Sequence, residues 1–324
     1  MFDLLVLLIL LASVAVSLLV TIPLTGALVR LRANYNPKGL QLDDEGNVEP
    51  HTGPVVTTFF GMLKRVKRIE GWAGLYKGLM PSLLETGVLT IFAVIALNAD
   101  PRAHSRIAPP DSGILGTLAY SAFSIVLAMP MIIISYRAIT TPYKLPYFRP
   151  MYSLRILLTP TERRRPWILY LTPGLFLAQF LHSAYSVIIL RTLRRFLVPT
   201  IEDGDTTKFD IHPITFSIYV VVAVLSTTIL CPLEVIITKL AIQRNHAAAE
   251  YNSVEQEVEP DAVSSEEYVE YSGAEEDVIG LRHEKDPYLG LVDCARRVSQ
   301  EEGWQALYRV WWFSMLVGLT TAFA

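Results

Sequence analysis

Apolar residues gather in six stretches, at positions 4–29, 80–97, 114–134, 167–190, 214–237 and 310–324. A helix crossing the hydrocarbon core needs about 20 mostly apolar residues. The first five stretches approach or exceed that length; the sixth has 15 residues, about 22 Å of helix at the standard rise. Met1-Phe2-Asp3 lacks the cationic start of a secretory signal, which predicts a retained first span. Within the first polar connection, Val56, Phe59, Phe60, Leu63, Val66 and Ile69 recur at helical spacing. That pattern predicts an amphipathic helix over 55–69, with Lys64, Arg65, Lys67 and Arg68 near its C-terminal end.

Composition agrees with spans rather than a soluble core. Of 324 residues 52% are hydrophobic and 18% charged, with mean hydropathy +0.37. A soluble domain carries roughly 25% charged residues. The basic residues divide unevenly: connections 30–77, 137–165 and 239–309 hold 22 of the 28 Lys and Arg. The positive-inside bias puts those three connections on one face and both termini on the other. A net charge of −3 disfavours nucleic acid as a partner, and two cysteines exclude a disulfide scaffold. Neither a phosphate loop nor a metal-ligating or nucleophilic constellation is present in the sequence, so no enzyme, cofactor or metal is expected. Positions 250–286 hold 13 acidic residues. They read as a disordered acidic insertion, a solvated linker or a docking strip for a basic protein partner.

The chain also repeats itself. Pro23, Pro130 and Pro232 end three spans, and Arg30, Arg137 and Lys239 each follow seven residues later. Downstream stands Glu70-Gly71-Trp72-Ala73-Gly74-Leu75-Tyr76-Lys77-Gly78, reaching Pro81, and again Glu302-Gly303-Trp304-Gln305-Ala306-Leu307-Tyr308-Arg309. A worn middle copy, Glu162-Arg163-Arg164-Arg165-Pro166-Trp167, keeps its proline, Pro173, at the same distance from the glutamate. Three units result, at 1–100, 101–200 and 201–324, the last holding the insertion. By themselves the three cations suit interfacial snorkelling or lipid phosphate contact.

These blocks resemble the mitochondrial carrier family, whose signature runs Pro-x-acid-x-x-base and continues into a Glu-Gly block ending in aromatic-base-Gly. The resemblance implies an all-α membrane protein with the six-transmembrane-helix carrier fold. It also implies three tandem repeats in pseudo-threefold symmetry and short amphipathic helices on the inside face. Transport of a small metabolite by alternating access through a central cavity is the implied activity. A multi-pass place in the mitochondrial inner membrane is implied with it, the outer membrane being the second option. Pro23, Arg30, Pro130, Arg137, Pro232, Glu234 and Lys239 fall in the gate signature. Gly71, Trp72, Lys77, Gly78, Gly303, Trp304 and Arg309 fall in the block facing lipid, cardiolipin among the candidates.

The gate signature is worn. Its acidic positions hold Thr25, Ile132 and Glu234, and its basic positions Leu28, Ser135 and Ile237. Substrate positions carried over from the family are Glu85, Thr86, Leu177, Ala178, Val317 and Gly318. Gln179 and His182 add a polar face on the fourth span, with Ser183 and Ser186, and Ser13, Ser17, Thr21 and Thr25 form a stripe on the first. A carboxylate such as Glu85 inside a span points to a cationic or proton-coupled solute. The worn gate and short sixth span also fit a divergent outer-membrane branch of the superfamily, acting in fusion, lipid handling or protein insertion.

Overall fold

The computed structural model describes residues 2–38, 56–99, 113–147, 149–197, 213–245, 271–273, 276–284 and 286–323. Among them the fold is helical, without a strand, and all six apolar stretches lie on helices. They are α1 (Phe2–Ala33), α4 (Leu79–Ala99), α5 (Gly113–Thr140), α8 with α9 (Leu175–Tyr185, Thr192–Leu197), α10 (Pro213–Ile242) and α12 (Trp311–Phe323). Four of these regions are long and apolar enough to cross a membrane, judged on the described residues. Shorter helices lie between: α2 (Phe59–Ile69), α3 (Gly71–Leu75), α6 (Pro150–Leu157), α7 (Pro160–Arg164) and α11 (Leu291–Glu301).

One helix start differs from the sequence expectation. The fourth apolar stretch opens in a 3-10 turn, Pro166–Leu171, and its α-helix begins only after Gly174. A π turn, Ser186–Arg191, then joins α8 to α9. The sixth helix begins at Trp311, as the apolar stretch predicts, after a 3-10 turn at Trp304–Tyr308. Val310 then takes a left-handed φ of 60° before α12 begins. Gly78, at the matching place in the first repeat, has φ 89°. The turn is thus kept although a β-branched residue occupies it, a conformation that costs such a residue of order 1–3 kcal/mol. The 13 residues of α12 span about 20 Å.

Phe59, Met62 and Val66 bury one face of α2, as the apolar spacing requires. Phe60 departs from that expectation and lies exposed, one position round from the buried stripe. Glu70 ends α2, and Gly71 follows at φ 71°, the left-handed turn that glycine accepts without steric cost. Trp72, Trp167 and Trp304, one per repeat, are all exposed, which suits anchors at the membrane–water boundary.

Pro23, Pro130 and Pro232 sit inside α1, α5 and α10. A proline has no N–H, so the carbonyl four residues earlier loses its helical donor. Tyr76 Oη donates to the Leu19 carbonyl at 3.3 Å, and Tyr308 Oη to the Thr228 carbonyl at 3.2 Å. Leu19 and Thr228 are the carbonyls orphaned by Pro23 and Pro232. Tyr76→Phe and Tyr308→Phe should therefore each cost about 1 kcal/mol, while Tyr170→Phe in the middle copy stays within about 0.5 kcal/mol of wild type. Chemical unfolding of the detergent-solubilised chain measures all three.

The chain divides into two compact units. One comprises 1–83, 131–169 and 242–287, and includes α1, α2 and the end of α5. Its interior mixes apolar residues such as Met62, Val66, Ile133, Ile139 and Leu157 with buried charges. The other comprises 84–130, 170–241 and 288–324. Leu175, Ala178, Cys231, Val235, Leu240, Cys294 and Val298 are buried there.

The acidic insertion is only partly as expected. Residues 246–270 lie outside the described residues. Beyond them, Tyr271–Gly273 and Glu276–Glu284 follow a defined course in the first unit rather than a disordered one. Val278 and Ile279 are buried, and Tyr271 bridges to Tyr143. Composition hid this because two apolar side chains suffice to seat a strand of loop within an acidic run.

Candidate functional site

Each repeat closes a buried ion-pair clasp between its span and its downstream block. In the first, Arg30 Nη2 lies 2.5 Å from Glu70 Oε2 and donates to the Gly74 carbonyl at 3.0 Å. Lys77 Nζ takes the other oxygen, Oε1, at 2.5 Å. In the third, Lys239 Nζ meets Glu302 Oε1 at 2.6 Å and Arg309 Nη2 meets Oε2 at 2.9 Å. The clasp glutamates are essentially excluded from solvent. The seven-residue spacing after each proline therefore delivers a cation to the glutamate of the Glu-Gly block. This corrects the snorkelling expectation: Arg30, Arg137 and Lys239 are buried, and their heads are neutralised by carboxylates within the protein.

The worn middle copy makes the same clasp with one cation. Leu169 stands where Lys77 and Arg309 stand in the other repeats, and it is buried. Arg137 compensates by binding both carboxylate oxygens of Glu162, at 2.6 and 2.9 Å. The remaining acceptor capacity goes to backbone: Thr159 N–H at 3.1 Å and Asn245 N–H at 3.0 Å. Thr159 and Glu162 form a capping box at the start of α7. Burial alone would raise the Glu162 carboxyl, yet Arg137 and the two amides hold it below its ordinary value. At Lys77 burial wins over the attraction of Glu70 and pushes the ammonium down to about 8.

A second polar cluster lies in the same unit as the third clasp and brings together three apolar helices. Ser314 Oγ on α12 donates to Glu234 Oε2 on α10 at 2.6 Å, and His182 Nε2 on α8 lies 3.4 Å from Glu234 Oε1. Glu234 is the acid that survives in the signature, and Lys239, five residues on, pairs with Glu302. Gln179, one turn before His182, is buried with an amide oxygen that has no hydrogen-bond partner. Ser314 was not foreseen. Its signal is its place twelve residues after Glu302 on a short apolar helix, too weak to single out from sequence.

The other expected substrate positions are scattered in character. Glu85 is half-buried on α4, while Thr86 is exposed and its carbonyl accepts from Thr90. Leu177 points outward and Ala178 is fully buried in packing; Val317 is exposed beside half-buried Gly318. Ser13, Ser17 and Thr21 share an exposed face of α1. Leu28 and Ser135, at lost gate-base positions, are buried. Cys231 is a packing thiol, its Sγ 3.6 Å from the Leu307 carbonyl. Of the predicted residues, the structure unites His182 with Glu234, and the clasp residues with one another.

Among the described residues, then, the chain is helical, has four regions long and apolar enough to cross a membrane, and forms the same kind of span-to-block clasp three times. Residues 214–324, which contain the third clasp, match the family model described as mitochondrial carrier protein. That match, over about the last third of the chain, agrees with the resemblance read from the sequence. No match was found among curated proteins.

Proposed function

We propose that the protein moves a small cationic or zwitterionic solute across the mitochondrial inner membrane by alternating access. In this reading six helices in three repeats surround the path, and the clasps keep each span and its block moving as one body. The observation that carries the reading is the recurrence of the clasp in all three repeats together with the family match to the third. Lipids of the membrane, with cardiolipin as a candidate, surround the exposed tryptophans.

The substrate class follows from where the charges stand. Lys239 and Arg309 bind Glu302, and Arg191 donates to Thr117 at 3.0 Å. Glu234 has neutral Ser314 and titratable His182 as its side-chain neighbours, and Glu85 adds a second carboxylate. An intramembrane carboxylate is costly unless it serves a ligand or a proton. Carboxylates at these two positions suit an ammonium group and disfavour nucleotides, phosphate and dicarboxylates.

Reconstituted protein should take up members of an amine and amino-acid panel and ignore nucleotides and dicarboxylates. Glu234→Gln and Glu85→Gln should each lower uptake by about tenfold or more, with unfolding midpoints close to wild type. Uptake unchanged in both variants would remove these residues from the path, and preferential dicarboxylate uptake would overturn the substrate class.

A further inference from the structure

The eleventh residue after each signature proline marks a joint between neighbouring repeats. After Pro130 it is Thr141, whose carbonyl accepts from Lys77 of the first repeat at 2.8 Å. After Pro232 it is Gln243, whose carbonyl accepts from Arg137 of the second repeat at 2.5 Å. Thr159 Oγ1 strengthens that joint by donating to the Asn245 carbonyl at 2.8 Å. After Pro23 it is Asn34, and here the acidic insertion arrives. Gly280 N–H donates to Asn34 Oδ1 at 3.0 Å, and Tyr35 N–H donates to the Gly280 carbonyl at 2.8 Å. The insertion, part of the third repeat, therefore makes the joint from the third repeat to the first.

The same segment reaches the other two helix ends. Ser272 N–H donates to the Pro142 carbonyl at 2.8 Å, and the Tyr271 and Tyr143 rings lie 5.0 Å apart. Glu284 sits 3.4 Å from Arg244, just beyond α10. On α2, Arg65 donates to the Val278 and Asp277 carbonyls at 3.1 and 2.9 Å and to Glu276 at 3.0 Å. A Cβ on Gly273 would come within 2.5 Å of Ile69 Cγ2, so the strap passes close to the end of α2 as well.

We propose that the described part of the insertion, residues 271–273 and 276–284, is a releasable latch that closes the inside end by tying together the ends of α1, α5 and α10. It takes the place of the ring of ion pairs that Thr25, Ile132, Leu28, Ser135 and Ile237 can no longer form. The two kinds of fastening differ in exposure. The clasp carboxylates are 0–3% exposed, whereas Glu276 and Glu284 are 57% and 51% exposed. Water and salt reach the latch's charges and not the clasps', so the latch lets go first. Its consequence for transport, that the inside cannot open until the strap lifts, rests on the carrier reading.

Hydrogen exchange on the full chain in lipid nanodiscs tests the latch without any substrate. Arg65→Ala and Asn34→Ala should each speed exchange of the strap and of the Tyr35 amide by about tenfold or more, with the interiors of α1 and α5 unchanged. Arg65 lies on an amphipathic surface helix, so that variant stays informative if Asn34→Ala folds poorly. A strap that stays protected in Arg65→Ala, or that loosens while Tyr35 remains protected, overturns the proposal. In proteoliposomes given the amine and amino-acid panel, the same variants should change the exchange rate by about threefold or more. An unchanged rate overturns the gating role. A wild-type protein silent toward every compound overturns the carrier reading instead, and the exchange data then decide the latch alone.

Discussion

Arg137→Met lowers the stability of the protein by about 3–5 kcal/mol, the usual cost of leaving one partner of a buried ion pair alone. Arg137 and Glu162 are 2% and 0% exposed, and two oxygen–nitrogen contacts join them. Without the guanidinium, a carboxylate remains in a site that water does not reach. Arg137 also donates to the Leu157 and Gln243 carbonyls, so those acceptors lose a partner too. The double variant Arg137→Met, Glu162→Leu removes the uncompensated charge and should recover about half of the loss. Full recovery is not expected, because the amides of Asn245 and Thr159 then lack their acceptor. Denaturant midpoints of the two variants measure the comparison. A single variant as stable as wild type would show that the clasp contributes nothing.

The same pair sets an acid limit. The Glu162 carboxyl is held below its ordinary value, so as pH falls the unfolded chain takes up its proton first. The stabilisation is complete above the unfolded value, near ~4.3, and is lost as pH drops through the lower folded value. Wild type should therefore lose stability below about pH 4 more steeply than the double variant, which lacks this one carboxylate.

How far the sequence disclosed this molecule differs between its parts. The apolar helices were legible because apolar length is a local pattern, as is the proline-to-cation spacing. The clasp was half legible. Seven residues from proline to cation showed in all three copies, but the identity of the partner did not. Glu70 is 40 positions from Arg30 and Glu302 is 63 from Lys239, and only the return of the block beneath its own span makes them neighbours. A cation at a span end, seen alone, suits lipid phosphate equally well. In the middle repeat the loss of the second cation looked like decay. Leu169 fills its place because Arg137 takes both oxygens of one carboxylate, a substitution that geometry permits and spacing cannot show.

Latch and polar cluster were hidden for different reasons. Net acidity dominated the reading of residues 250–286, yet seating a loop takes only a few contacts, and Val278, Ile279 and Gly280 supply them. Ser314 and Glu234 are 80 residues apart and belong to different spans, so no one-dimensional periodicity joins them. His182 was singled out as part of a face; that its neighbour is the surviving gate acid required the structure.

Gly174→Ala should be the most damaging single-methyl addition in the second unit. Gly174 begins α8 at φ 76°, and a left-handed alanine costs roughly 1–2 kcal/mol. Space is the larger obstacle. A Cβ there would stand 2.3 Å from the Leu291 backbone nitrogen and 2.9 Å from the Gly290 carbonyl carbon. These are backbone atoms at the start of α11, and α11 is fastened by its buried Cys294 and Val298, so they cannot swing aside as a flexible side chain would. Overpacking of this kind adds about 1–3 kcal/mol, for a total loss near 3–4 kcal/mol. Gly71→Ala is the matched control: it has a left-handed φ of 71° and nothing within 4 Å of its added Cβ. It should show the conformational cost alone, about 1–2 kcal/mol. Thermal unfolding of both variants separates the two contributions. Equal losses would mean that α11 yields to the methyl and that the close approach of the second and third repeats at this point is soft.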